Sequence, residues 1–280
     1  MAPPNVALVT GSSEGGIGFY LCQKLAERGF TVYATSRTLS STAALVHPNI
    51  KKLPLDVTDD SQVQSVVASI IEESGQIDML INNAGILAPG PTVDWKAEDV
   101  KTVYDTNVFS IIRLCGAVVP HMAKRRKGTI VNIGSIVGEF PTPWMGVYDS
   151  SKAAVRLLTE VLSMECKPFD IRVMLVAPGS IQSKIIEKHD HFQLAPNSIY
   201  GAFFHNIRQR LEAARDKLAM PADKFAEEIV TKALRPNPPS YVLTGGNSTL
   251  FRFLAFLPRR LYLSIIWGMF SKPEAKSKRD

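Results

Sequence analysis

Val6-Ala-Leu-Val-Thr10-Gly11-Ser12-Ser13-Glu14-Gly15-Gly16-Ile17-Gly18 is the stretch on which the fold turns. Its first five residues form a short apolar run that suits a buried strand, and the segment from Ile17 to Arg28, closed by Gly29, carries a helical pattern. Between them lies a glycine-rich turn. Glycines there let the backbone approach a pyrophosphate, and the start of the following helix supplies free N–H groups and a favourable dipole. A glycine-rich turn alone also suits any flexible loop, so its position after a leading strand is what gives it weight.

The same alternation continues along the chain. Strands are expected near Thr31 to Ser36, Lys52 to Asp56, Met79 to Asn82, Thr129 to Ile133, Arg172 to Val176 and Tyr241 to Leu243. Helices are expected near Ser61 to Glu73, Val100 to Lys124, Tyr148 to Cys166 and Pro221 to Ala233. Seven strands threaded by helices predict an α/β fold: a Rossmann-type, doubly wound, seven-stranded parallel sheet with helices on both faces. The expected organisation is a domain over residues 1–247 and an apolar, basic tail over 248–280. Within the domain, residues 180–220 break the alternation and read either as a substrate lid or as an ordinary surface insertion.

Three further stretches bear on chemistry. Where an acid would meet ribose hydroxyls, the chain reads Tyr33-Ala-Thr-Ser-Arg37-Thr-Leu-Ser-Ser. Arg37 and these hydroxyls suit a 2′-phosphate, and so NADPH/NADP+; the alternative is a solvated strand-end charge. Asn82-Asn83-Ala84-Gly85 could let an adenosine or ribose lie close to the backbone, and Asp56-Val57 could address a base edge or cap a helix. Ser135, Tyr148 and Lys152 form the third group. Positions i and i+4 share a helix face, so Lys152 can lie beside the Tyr148 phenol and lower its pKa from about 10. Ser135, at the end of a strand, can stabilise charge developing on a carbonyl oxygen.

Together these motifs resemble the short-chain dehydrogenase/reductase family, from the first strand to about Tyr241. The resemblance implies a hydride transfer between NADP(H) and a ketone or alcohol, with Tyr148 as proton donor and Asn107, Ser135 and Lys152 as its catalytic companions. It assigns Asn107, in Asp105-Thr-Asn-Val-Phe109, to a helix bend and an ordered water leading to Lys152. It places Gly11, Ser13, Gly16, Ile17, Gly18, Asn83, Ala84, Gly85 and Pro178-Gly179-Ser180-Ile181-Gln182-Ser183 around the cofactor, with no metal. Two departures stand out: one extra residue separates Gly11 from Gly16-Ile17-Gly18, and Ser183 replaces the usual threonine. Lys167-Pro-Phe-Asp-Ile-Arg-Val173, Ser198-Ile-Tyr200 and Met220-Pro-Ala-Asp223 resemble a fungal-type subgroup typified by reduction of 1-acyldihydroxyacetone phosphate. A specialised-metabolite ketone or steroid-like alcohol is the alternative substrate, and a cofactor-binding scaffold without turnover is a third reading.

Charge and composition constrain partners. Of the net charge of +6, Arg252, Arg259, Arg260, Lys272, Lys276, Lys278 and Arg279, against Glu274 and Asp280, place +5 in the last 29 residues. A basic body for nucleic acid is therefore not expected. The tail's apolar runs, Leu250 to Leu257 and Leu261 to Phe270, fall short of the ~20 residues that span a bilayer. They suit a segment lying on an anionic membrane or lipid-droplet surface, or one packed on the enzyme or in a homodimer or homotetramer interface. Cys22, Cys115 and Cys166 lack disulfide or metal spacing. No secretory leader is read at the N-terminus. A cytosol-facing protein is expected, at the endoplasmic reticulum or lipid droplet, or free in the cytoplasm.

Overall fold

The computed structural model describes residues 5–212 and 218–272. The seven principal strands are β1 (Val6–Thr10), β2 (Thr31–Ser36), β3 (Ile50–Pro54), β4 (Met79–Asn82), β5 (Gly128–Ile133), β6 (Ile171–Pro178) and β9 (Tyr241–Thr244). They form one parallel sheet in the order β3-β2-β1-β4-β5-β6-β9. The period-2 pleat sorts β1 cleanly. Ala7 and Val9 pack with Leu21, Leu25, Phe225 and Ile229 of α1 (Ile17–Glu27) and α7 (Ala222–Ala233). Val6 and Leu8 face the other layer, α2 (Asp60–Ser74), α4 (Ser110–Arg125) and α5 (Gly146–Glu165), represented by Val67, Leu114 and Val155. Burial on both faces explains why the strands read as continuous apolar runs. The strand order reverses between β1 and β4, and the crevice at such a reversal is where this architecture binds ligands.

Two expected elements differ from those observed. The third strand runs from Ile50 to Pro54, two residues earlier than the apolar pattern suggests. Beyond it the Asp56 carboxylate accepts hydrogen bonds from the Thr58 backbone N–H and hydroxyl, at 3.0 and 2.7 Å, and turns the chain. The expected single helix near Val100 to Lys124 is instead α3 (Ala97–Tyr104), a π-turn (Asp105–Phe109) and α4. Asn107 bonds out of the helix at that turn, which disturbs the i→i−4 ladder.

After β6 the chain makes β7 (Ile181–Gln182), which pairs in parallel with β8 (Met220–Pro221). The excursion between them contains short 3-10 turns and α6 (Phe204–Glu212). Beyond β9, α8 (Ser248–Leu254) and α9 (Arg259–Phe270) fold back on the molecule. Tyr262 and Ile266, one helical turn apart, are buried with Ile136, Val137 and Phe140. Trp144, at φ 71°, donates its indole N–H to the Phe270 carbonyl at 2.8 Å. A bulky residue in the left-handed region is costly, and this contact helps fix it. Lys276, Lys278 and Arg279 of the expected basic tail lie outside the described residues.

Candidate active site

Backbone proximity shapes the glycine-rich loop. Thr10 Oγ1 accepts the backbone N–H groups of Asn83 (3.0 Å) and Ala84 (3.1 Å), while the Asn83 amide donates to the carbonyls of Thr10 (2.9 Å) and Gly11 (3.0 Å). A Cβ on Gly11, at φ 69°, would lie 2.8 Å from Ala84 Cα, and one on Gly18 would lie 2.6 Å from the Asn83 amide and closer still to the Gly11 carbonyl. The chains meet without room for a side chain, as close backbone approach to a dinucleotide requires. The extra residue of the loop has a local role. Gly15 adopts φ 74°, and the methylenes of Lys184 lie over its Cα, where a Cβ would be only 2.7 Å away.

A cavity of about 890 Å³ opens above this loop. Gly11, Ser13, Gly16, Ile17, Arg37, Asp56, Val57, Asn83, Ala84, Gly85, Pro178, Gly179, Ile181 and Ser183 line it, as do Ser135, Tyr148 and Lys152. Gly18 and Asn107 stand behind the wall. At the loop's far end the Ser41 hydroxyl lies 3.1 Å from that of Ser13 and 3.0 Å from that of Ser36, beside exposed Arg37. A guanidinium with clustered hydroxyls and no terminal acid on β2 fits a phosphate monoester better than a bare ribose diol. Helix capping is done by Asp59, which accepts from Gln62 N at 3.0 Å, so Asp56 caps only its own turn.

Ser135 follows β5 by two residues and caps a 3-10 turn through Val137 N. Its hydroxyl faces the Tyr148 phenol and favours the ionised form. Lys152, one turn along α5, sends Nζ to the Ile133 carbonyl at 3.0 Å and lies 5.8 Å over the Tyr148 ring. Asn107 is 1% exposed; its amide donates to the Ile86 carbonyl and the Ser151 hydroxyl, both at 3.0 Å, and its Oδ1 accepts from Ile86 N at 2.8 Å. Its Oδ1 would lie 3.3 Å from a Cβ on Gly85, and Lys152 Nζ 3.6 Å from it. Asn107, Gly85 and Lys152 thus converge, although sequence alone presents Asn107 as an ordinary helical residue.

Electrostatics depart from the expectation that Lys152 lowers the Tyr148 pKa. Burial pushes the phenol up to about 12, with the Ser135 hydrogen bond opposing. Burial also pulls Lys152 down to about 8. Desolvation penalises both charged forms and is the largest cause of each shift. The phenol therefore stays protonated at neutral pH. All three cysteines are free and buried, and burial raises the Cys22 and Cys115 thiols to about 12, which makes them inert.

Several lining residues carry no sequence signal. Arg210 of α6 reaches Thr142 Oγ1 through Nε at 3.0 Å, and Thr142 N donates to Asp149 Oδ2 at 2.8 Å. Phe251, Ile266 and Phe270 of the C-terminal helices complete the far wall. Among the described residues no cluster of His, Cys, Asp and Glu could hold a metal ion.

A parallel sheet with a glycine cradle at its reversal point, opening onto a half-buried Ser-Tyr-Lys group, defines a dinucleotide-binding oxidoreductase. Residues 5–193 match the family described as short chain dehydrogenase. The chain belongs to that family. It is 33% identical over 277 residues to the short-chain dehydrogenase fogD of Aspergillus ruber, covering 96% of this chain and 94% of that one. It is 33% identical over 267 residues to the NADPH-dependent 1-acyldihydroxyacetone phosphate reductase of Saccharomyces cerevisiae, covering 91% and 88%. A short-chain dehydrogenase structure from Streptomyces avermitilis superposes with a TM-score of 0.82 at 26% identity, covering 96% and 97%.

Proposed function

We propose that the protein is an NADPH-dependent reductase of a ketone on an acylated, apolar substrate, with 1-acyldihydroxyacetone phosphate the best candidate. The observation that carries this reading is the continuity of the cavity. It runs from the glycine cradle past Tyr148 to Leu250, Phe251, Ile266, Met269 and Phe270. In this reading residues 1–247 form the reductase domain, residues 180–220 its lid, and residues 248–280 an appended tail of which α8 and α9 wall the acyl end.

The bound dihydronicotinamide supplies the hydride. Arg37, Ser13, Ser36 and Ser41 hold the 2′-phosphate, and the Gly11–Gly18 cradle takes the pyrophosphate. Tyr148 donates its phenolic proton to the carbonyl oxygen as charge develops there, with Ser135 as second donor. Lys152 holds the ribose and the cationic field beside the phenol, and Asn107 braces the neighbouring Ser151 and Ile86. Pro178, Gly179, Ile181 and Ser183 bound the nicotinamide side.

The same reading places the protein at a membrane surface. No helix among the described residues is long and apolar enough to cross a membrane. α8, α9 and the turn between them nonetheless expose Leu250, Phe253, Phe256, Leu261, Leu263, Ile265, Trp267 and Met269, next to exposed Arg260 and Lys272. A helix that is apolar on its outward face needs a covering surface, and lipid with anionic headgroups supplies one. The outward Ile112 of α4 and Leu157, Val161 and Met164 of α5 suit self-association. A cytosol-facing site on the endoplasmic reticulum or lipid droplet follows for such a substrate.

The test is NADPH oxidation by the purified protein with detergent-dispersed 1-acyldihydroxyacetone phosphate beside soluble polyketide-like and aromatic ketones. Saturable turnover of the acyl ketone is expected. Turnover confined to the soluble ketones would move the protein to specialised metabolism.

A further inference from the structure

The substrate end of the cavity is walled by apolar side chains, among them Leu211, Leu250, Phe251 and Ile266, yet Arg210 enters the same wall from α6. Its guanidinium lies 5.8 Å over the Phe270 ring, and Nε is spent on Thr142 Oγ1 at 3.0 Å. Among the described residues the two terminal nitrogens make no hydrogen bond or ion pair. Asp149, the carboxylate whose field reaches Arg210, is turned into the Thr142 backbone, and its Oδ1 is buried without a partner. Thr142 therefore stands between the two side chains and aims the guanidinium by its Nε edge. A cation half-buried among aromatic and aliphatic groups is costly unless something pairs with it, and its planar fork matches the oxygens of a phosphate or carboxylate.

We infer that Arg210 is the anion-recognition residue of the substrate pocket, reading a phosphate or carboxylate group that lies close to the reacting carbonyl. The inference rests on the proposed reductase reading and deepens it. Arg210 also acts on Tyr148 through space, so the anion it binds sits near the phenol that protonates the ketone. The ligand it selects combines three features: an anionic group at Arg210, a ketone at Tyr148, and an apolar chain against the side chains of α8 and α9 that share the cavity. A neutral ketone would leave the guanidinium unpaired in a low-dielectric pocket, which is a means of rejection as well as recognition.

The test compares 1-acyldihydroxyacetone phosphate with its dephosphorylated counterpart in the full-length protein, Arg210→Gln and Arg210→Lys. The wild type is expected to prefer the phosphate. Arg210→Gln should shrink that preference by about 10- to 100-fold, mainly through KM, with Arg210→Lys intermediate because it keeps charge but loses the fork. An unchanged preference in Arg210→Gln would overturn the assignment. A second arm needs no turnover. Dodecyl phosphate, dodecanoate and dodecanol are titrated against tryptophan fluorescence of the NADPH-loaded protein, because Trp144 and Trp267 stand beside this wall. Tighter binding of either anion, lost in Arg210→Gln and partly kept in Arg210→Lys, supports the site and tells phosphate from carboxylate. Equal binding of all three by the wild type refutes it, even if a ketone is reduced. If neither ketone is reduced but an anion binds through Arg210, the substrate named above fails while the anion site stands.

Discussion

Tyr148 and Lys152 carry opposite consequences of the same burial. The phenol, raised to about 12, remains a proton donor throughout the neutral range. Tyr148→Phe removes that donor while keeping the ring, so turnover should fall about 10²- to 10⁴-fold with NADPH binding retained, as followed by nicotinamide fluorescence. Undiminished turnover would mean that another group delivers the proton. Lys152, pulled down to about 8, is an ammonium below that pH and a neutral amine above it. Only the ammonium carries positive charge to the phenol and full donor capacity to a ribose. The ratio kcat/KM for NADPH, which reports the free enzyme, should therefore decline as pH rises through about 8, approaching tenfold per unit. A profile flat to pH 9.5 would show that Lys152 holds its proton more tightly than its burial implies. At the far end of the cofactor cleft, Arg37→Ala should raise KM for NADPH about tenfold or more and leave NADH nearly unaffected, because only the former carries the phosphate that pairs with the guanidinium. Equal losses for both cofactors would place the phosphate elsewhere.

α5 joins the reacting groups to the far wall, since Asp149 follows Tyr148 and binds Thr142, which in turn binds Arg210 of α6. Burial raises the Asp149 carboxyl to about 7, against an ordinary value of 3.8, despite opposing help from Thr142 and Arg210. A carboxyl raised on folding keeps its proton while the unfolded chain loses it, so its contribution to stability declines from about pH 4 to about pH 7 and is level above. Asp149→Asn removes that titration. The variant should match the wild type near pH 4 in urea unfolding and gain on it steadily towards pH 7; a constant difference would place the titration elsewhere. What sequence reveals at this scale follows from locality. β1, the glycine loop and α1 are legible because period and turn chemistry lie within a few residues, and the Tyr148–Lys152 pairing needs only i,i+4 spacing. The break between α3 and α4 is not legible, because its cause is Asn107 bonding to Ile86, 21 residues away. Asp56 misleads because the apolar pattern of β3 continues into Leu55 and Val57, whereas pairing with β2 stops at Pro54. Arg210 is invisible because Phe270, whose ring it covers, is positioned through a Trp144 bond spanning 126 residues.

At the scale of the molecule, the cavity and the exposed apolar helices are one feature seen from two sides. Tyr262 and Ile266 turn inward onto the Phe140 cluster, while Leu250 and Met269 both line the cavity and reach the surface. Phe253, Phe256 and Leu263 are 69%, 87% and 43% exposed, so they contribute little to the folded state and are available to a bilayer. Each such side chain buried among acyl chains contributes roughly 1.5–3 kcal/mol, and each nearby Arg or Lys adds about 1 kcal/mol on an anionic leaflet. Replacing Phe253, Phe256 and Leu263 together by glutamate should therefore cut partitioning to phosphatidylserine-containing vesicles by more than about 100-fold in a flotation assay. The fold should persist, with reduction of a short-chain, detergent-free ketone continuing, because none of the three is buried in the core. Deleting α8 and α9 outright would be a poorer experiment, since it also removes Ile266 and Phe270 from the cavity wall. Two features of wild-type binding follow from the same argument: it should weaken in phosphatidylcholine alone and fall with salt, because Arg260 and Lys272 act through screened attraction. If the triple glutamate variant floats with vesicles as the wild type does, the α8–α9 face is not the membrane contact, and its apolar surface must be covered by protein instead.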